Sequence, residues 1–292
     1  MLSRELINAR QALPLFYTKI DMSITRIMNF YDQFNGNVYV AFSGGKDSTA
    51  LLHLVRSVYS DVPAVFVNTG LEYPEIVDFV KTIDNVTILR PQMGFRKVLS
   101  TYGYPVISKD VAGYVEQIKT AKSPKTVITR IHGQGHNRAG RLPEKWMFLL
   151  NAPFKISNRC CSIMKKEPFH RYEKETGRHP IIGVMADESD ARMKDYMKYG
   201  CNAMQVKRPQ SRPIIFWKNE DIWEYIRHYN IPYCKIYDTG IGRTGCIFCG
   251  FGAHLNPVNR YKILKDTHPK LYEYCMKKLG FEEVLNYIGI DH

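Results

Sequence analysis

Residues 38–52 read VYVAFSGGKDSTALL. The apolar run at the start is fit for a buried strand, it breaks at Ser43-Gly44-Gly45, and a helix is predicted from about Ser48. Two adjacent glycines let the backbone turn tightly, and the following helix points unpaired N–H groups and the positive end of its dipole into the turn. Strand, glycine turn and helix together make a phosphate cradle. Lys46 adds a positive charge, and Asp47, Ser48 and Thr49 can cap the helix or help hold Mg2+ on the phosphates. The loop is not a Walker A sequence, which needs Gly at Val40 and Ser or Thr at Asp47.

Downstream, Ala64-Val65-Phe66-Val67 suits a second buried parallel strand and runs into Asn68-Thr69-Gly70. Pro74-Glu75 starts a helix to about Thr82, and Val86 to Leu89 is a third strand. Strands are expected again at Pro180 to Met185 and Pro213 to Phe216, with Asn219-Glu220-Asp221 capping a helix from Ile222 to Tyr229. This alternation predicts an α/β fold, a doubly wound, mostly parallel sheet whose ligands lie beyond the strands' carboxyl ends. By that rule Asn68, Thr69, Gly70, Glu188 and Arg192 belong near the Ser43 loop. Residues 1–35 are expected to form an N-terminal helical cover, 36–255 the nucleotide-binding α/β domain and 256–292 a C-terminal helical addition. Residues 121–142 carry many cations, including Lys122, Lys125, Arg130, His132, His136, Arg138 and Arg141. They read as a long basic insertion with little periodicity, suited equally to a solvated loop or a phosphate-tracking arm. The glycines between His132 and His136 argue against a helical metal site.

The chain has 292 residues, 45% of them hydrophobic, and a net charge of +13. An excess of that size favours a polyanionic partner such as a nucleic acid over nucleotide binding alone. No apolar run is long enough to span a bilayer, and the N-terminus lacks the layout of a signal peptide, so a cytoplasmic location without a membrane partner is expected. A homo-oligomer is compatible with the sequence. Seven cysteines without an export signal point to thiols or metal ligands rather than disulfides. Cys246 and Cys249 form a C-x-x-C among glycines, and Cys160-Cys161 is a vicinal pair. Four converging thiolates suit zinc or an iron–sulfur cluster, and adjacent cysteines favour the cluster. Cys201, Cys234 and Cys275 have no partner at ligand spacing and read as buried small hydrophobes.

Taken in order, these motifs resemble the phosphoadenosine and adenosine phosphosulfate reductase family of the PP-loop ATP pyrophosphatase superfamily, over roughly residues 36 to 252. Ser43 to Ser48 resembles the family's PP-loop, and Asn68-Thr69-Gly70 with Pro74-Glu75 its D-T-G…P-E segment, with Asn for Asp. Cys160-Cys161 with Lys165-Lys166-Glu167-Pro168 is similar to C-C-x-x-R-K-x-E-P, and Glu188-Ser189 with Arg192 to E-S-x-x-R. Tyr237 to Gly240 running into Gly245 to Cys249 is similar to D-x-G…G-C-x-x-C. The resemblance implies an adenine nucleotide alpha hydrolase-like fold. It also implies a four-iron four-sulfur cluster on Cys160, Cys161, Cys246 and Cys249, with ATP held by Ser43, Gly44, Gly45, Lys46, Asp47, Ser48, Asn68, Thr69 and Gly70. Lys46, Asp47, which would position Mg2+, and Arg192 are its expected catalytic residues.

The reductases' nucleophilic E-C-G-L-H tail is absent; Glu273-Tyr274-Cys275-Met276 stands at a similar distance and reads as helix. Relatives without that tail include ATP pyrophosphatases of DNA phosphorothioation. They activate an oxygen of the nucleic acid with AMP and replace it with sulfur from a cysteine desulfurase. The expected function is therefore adenylating sulfur transfer to nucleic acid, with sulfite formation through Cys275 as the alternative.

Overall fold

The computed structural model describes residues 2–135, 138–255 and 259–292; His136, named above, and the first three residues of the expected addition 256–292 lie outside them. The strands are β1 (Val38–Ala41), β2 (Ala64–Val67), β3 (Val86–Leu89), β4 (Val106–Ile107), β5 (His179–Ile182), β6 (Asn202–Ala203), β7 (Gln210–Ser211) and β8 (Gly250–Phe251). Two units divide the chain. Among the described residues no helix is long and apolar enough to cross a membrane.

The first unit takes the chain up to Asn68, Tyr73–Leu89 and Phe169–Arg243. Its six strands run in the order β3-β2-β1-β5-β7-β6, parallel except for β6 against β7. The winding therefore reverses between β1 and β5, the position where open α/β sheets hold ligands. Ala41 pairs with Ile182, so the loops after β1 and β5 leave the sheet at one level. Val38, Tyr39 and Val40 in β1 are fully buried, as are Ala64 and Val65 in β2, as expected of strands covered on both faces. The helix after β1 spans Lys46–Arg56, starting two residues earlier than predicted because Gly45 already serves as its cap.

The N-terminal helices Arg4–Ala12 and Ile20–Gln33 are separated by Pro14 and by Tyr17, which has a left-handed φ of 59°. Ile20–Gln33 buries Ile20, Ser23, Ile27 and Phe30. Lys19 at its start is 2% exposed and pairs at 2.7 Å with Asp221. Ser23 Oγ accepts from Trp217 Nε1 at 3.0 Å and lies 3.0 Å from the Pro213 carbonyl. The strand expected at Pro213 to Phe216 is instead a pair of tight turns, with Ile215 N donating to Arg212 O and Trp217 N to Ile214 O. Ile214, Ile215, Phe216 and Trp217 are all fully buried, so the apolar run reports burial without a ladder. The next helix begins at Asn219, and its Asp221 carboxylate accepts from Lys218 N at 2.6 Å.

The second unit comprises Thr69–Glu72, Arg90–Pro168 and Thr244–His292. The helices Phe95–Tyr102 and Lys109–Thr120 flank β4, which pairs in parallel with β8. A Cβ on Gly250 would stand 2.5 Å from the Pro105 carbonyl oxygen, which explains glycine at this crossing. Phe281 is fully buried, with its ring near those of Phe95, Tyr104 and Tyr261. The stretch 121–142 is not the aperiodic segment expected: Pro124–His132 is a helix with proline in its first turn, ended by Gly133 at φ 84°. None of its residues is buried, so it has no core-facing stripe to read. Arg130 is bonded to Gln117 Oε1 and Gly140 O and lies over the Tyr114 ring, which makes this cation a brace.

Removing one partner of a buried ion pair leaves the other charge uncompensated. Lys19→Met is therefore expected to cost roughly 3–5 kcal/mol, and Lys19→Met with Asp221→Leu much less. Urea titrations of the three proteins check this, and a cost below about 1 kcal/mol for the single variant would contradict it.

Candidate functional site

In the first unit the turn after β1 is built on Gly44, whose φ of 71° is left-handed. A Cβ there would also meet Ile76 Cγ2 and Val80 Cγ2 at 2.9 Å. Gly45 N donates to Ser43 Oγ, the Ser43 and Ser48 hydroxyls lie 3.0 Å apart, and Ser48 Oγ donates to Gly45 O at 2.9 Å. Ser43 N donates to Ser48 Oγ, and Thr49 Oγ1 donates to Gly45 O. The hydroxyls predicted as cap or metal residues thus close the loop on itself. Lys46 is buried at 5% exposure, and its ammonium pairs with Asp47 at 3.0 Å. Gly183, just past β5, lets the helix start come close, because a Cβ there would lie 3.1 Å from Asp47 O.

The Tyr237 hydroxyl, which sequence reasoning missed, accepts from Lys46 N at 2.9 Å, and its ring lies 5.9 Å from the Lys46 ammonium. Its neighbours Asp238-Thr239-Gly240 marked the segment, but nothing local gave the tyrosine a role. After β5, Glu188 pairs with Arg192 and, at 2.9 Å, with Arg243. Its Oε1 also accepts from Met185 N. Arg192 is thus held by a carboxylate in a loop leaving the same sheet edge as the Ser43 loop. Asn68 follows β2 on that edge, and its N–H donates to Leu89 O.

Thr69 and Gly70 belong to the second unit. Glu72 closes their turn by accepting from Thr69 N, Thr69 Oγ1 and Leu71 N. In this unit Cys160, Cys161, Cys246 and Cys249 line one narrow cavity, together with apolar Phe95 and Met164. Cys160 and Cys161 sit on the helical turn Arg159–Cys161. The C-x-x-C turn is fixed by Cys249 N donating to Cys246 O and Ile247 N to Leu71 O. Arg260 braces it by donating to Cys246 O and Phe251 O. Burial pushes the Cys160 and Cys246 thiols up, and Cys249 is pushed up to about 11 by burial, offset in part by Arg260. Burial opposes the charge on Lys165, but the Cys246 sulfur and the Glu72 carboxylate outweigh it and raise its pKa above the ordinary lysine value. These four thiols, expected from the sequence as metal ligands, all line this cavity. Among the described residues no three His, Cys, Asp or Glu side chains are gathered tightly enough for a single ion. Cys201, Cys234 and Cys275 are all buried.

A family model described as the phosphoadenosine phosphosulfate reductase domain matches residues 37–108 and 109–250. The chain belongs to that family. An uncharacterized protein of Methanocaldococcus jannaschii is 26% identical over 271 residues, covering 89% of this chain and 53% of that protein, so the chain spans about half of its length. Adenosine 5'-phosphosulfate reductase 2 of Bacillus subtilis is 24% identical over 219 residues, covering 75% of each chain. A phosphoadenylyl-sulfate reductase of Candida auris, solved as its phosphate complex, has a TM-score of 0.45 and 15% identity, covering 84% of this chain and 96% of that one. A likeness that loose carries nothing about the site. Named members of this phosphosulfate reductase family are enzymes.

The PP-loop bend makes its own prediction. Gly44→Ala is expected to lose about 1–2 kcal/mol from the left-handed φ alone and to weaken ATP binding in calorimetry. Gly45→Ala, at an extended φ of −78°, should be milder in both. Equal effects would show that the bend is not what shapes the loop.

Proposed function

We infer that this chain is an ATP pyrophosphatase that adenylates an oxygen of a nucleic acid so that sulfur can replace it, as in DNA phosphorothioation. Cys275 carries this reading. Sulfonucleotide reduction needs an accessible nucleophilic thiol, whereas Cys275 is fully buried and burial pushes its thiol well above the ordinary value. The net charge of +13 supports a polyanionic acceptor.

In the proposed reaction an acceptor oxygen attacks the α-phosphorus of ATP, the bond to the β-phosphate breaks, and pyrophosphate leaves. The terminal sulfur of a desulfurase persulfide then displaces AMP, which departs with the acceptor's oxygen. A thiol reductant supplies the two electrons that cleave the resulting S–S bond and release the desulfurase cysteine. Ser43, Gly44 and Gly45 hold the phosphates in the turn, with Ser48 closing it. The Lys46 ammonium leaves Asp47 to neutralise charge growing on the leaving pyrophosphate. Asp47, freed from that pair, would hold Mg2+, which would supply electrophilic charge to the phosphates. Arg192, oriented by Glu188, balances charge at the activated phosphorus. Asn68, after β2 on the same sheet edge, frames the nucleotide.

The cysteine site fits a four-iron four-sulfur cluster better than zinc. Structural zinc mostly uses two spaced cysteine knuckles, whereas Cys160 and Cys161 are adjacent. The cluster's positive irons would offset the cost of four thiolates among apolar walls. Bound there, the cluster would give the unit a soft, electron-accepting metal centre.

Protein purified without oxygen is expected to be brown, with iron and acid-labile sulfide in equal amounts and most of both lost in Cys161→Ser. Colourless protein carrying zinc would contradict the cluster. Relatives named as adenosine 5'-phosphosulfate reductases favour a second reading, sulfite formation with Cys275 as nucleophile. Cys275→Ser separates the two: with ATP, desulfurase and nucleic acid it should still release AMP and pyrophosphate at within a few-fold of the parent rate. Loss of all turnover, with sulfite made by the parent from adenylyl sulfate and thioredoxin, would establish the reductase instead.

A further inference from the structure

A cavity of about 610 Å³ in the second unit is distinct in chemistry from the cysteine site. Its wall includes Arg96, Lys97 and Ser100 on the helix Phe95–Tyr102, the rings of Phe248 and Tyr274, and the Thr69-Gly70 turn. No carboxylate is among the residues that line it. Arg96, Lys97 and Ser100 are exposed, and among the described residues neither cation makes an ion pair. Tyr274 is 43% exposed, and its ring centroid lies 6.1 Å from that of buried Phe248. A tyrosine left this open beside unpaired cations has not been spent on the core.

We propose that this cavity binds an unpaired nucleotide of a single nucleic-acid strand, with its phosphates on Arg96 and Lys97 and its base against Tyr274. The volume matches one small ligand with room for a base and sugar. A base can lie on an aromatic face inside a cavity only when it is out of the duplex, and flexible cations beside the ring follow the strand's phosphates without reading sequence. Ser100 adds a hydroxyl for a phosphate or sugar oxygen. The inference rests on the reading of the acceptor as a nucleic acid and specifies its form as single-stranded at the point of contact. It also accounts for cations on this face that nucleotide binding at the Ser43 loop does not use.

The test is fluorescence anisotropy of the full-length holoprotein with a short labelled single-stranded DNA, an RNA of the same sequence, and the DNA duplex, each titrated at several salt concentrations. Single strands should bind more tightly than the duplex, and the DNA and RNA arms identify the preferred strand. Arg96→Gln with Lys97→Gln, both on exposed positions, should weaken single-strand binding about tenfold or more and flatten the salt slope by about 1.4. Tyr274→Leu should weaken it roughly 5- to 150-fold, and Tyr274→Phe should restore parent affinity, which separates stacking from loss of fold. Parent affinity and salt slope in the double glutamine variant would overturn the proposal. So would a duplex bound as tightly as the single strand, or ATP displacing the strand while the double variant loses ATP affinity. Binding is read without turnover, so a chain that holds the strand yet releases no AMP sustains this inference and defeats the ATP pyrophosphatase reading.

Discussion

The first unit depends on one left-handed backbone bend. Gly44 can take a φ of 71° at no steric cost, and Ile76 and Val80 pack where a side chain would have to go. Because β1 lies beside β5 at the reversal of the winding, the bend opens toward the place where the sheet leaves backbone and helix dipole available to an anion. The ring of serine hydroxyls and the Tyr237 bond to Lys46 N then keep the loop shaped. The Lys46–Asp47 pair, with Lys46 buried and Asp47 half-buried, places one charge of each sign in this loop.

A second constraint governs the cysteine site. Burial makes the Cys160, Cys246 and Cys249 thiols resist ionisation, so they are poor nucleophiles unless a cation arrives to replace their protons. The same physics applies to Cys275, which has burial but no neighbouring thiol pair. Burial thus leaves the solitary Cys275 to packing, while the grouped cysteines share one cavity. The exposed aromatic and basic wall of the large cavity is the complement: there the unit leaves polar and π surface uncovered.

Much of this was legible in residue order. The apolar run at 38–42, the glycine pair and the capping residues together admit little but strand, turn and helix, and the parallel sheet follows from their repetition. The grouping of Cys160, Cys161, Cys246 and Cys249 was also legible, and the structure brings all four to one cavity. What could not be read were contacts set by tertiary distance: Tyr237 on Lys46 N, Arg260 on the C-x-x-C turn, Glu72 closing the Thr69 turn. The helix Pro124–His132 was missed because a helix that buries nothing shows no apolar stripe, and Pro213 to Phe216 was misread because a buried turn and a buried strand share one composition.

The central claim is that AMP leaves this enzyme carrying an oxygen taken from the nucleic acid. Nucleic acid labelled with oxygen-18 at its phosphates and sugars, incubated with the holoprotein, ATP, Mg2+ and a cysteine desulfurase charged with sulfur, tests it by mass spectrometry of the released AMP. The account predicts one heavy oxygen in each AMP, matched by sulfur gained in the nucleic acid. AMP carrying only solvent oxygen, or no AMP at all, would contradict it.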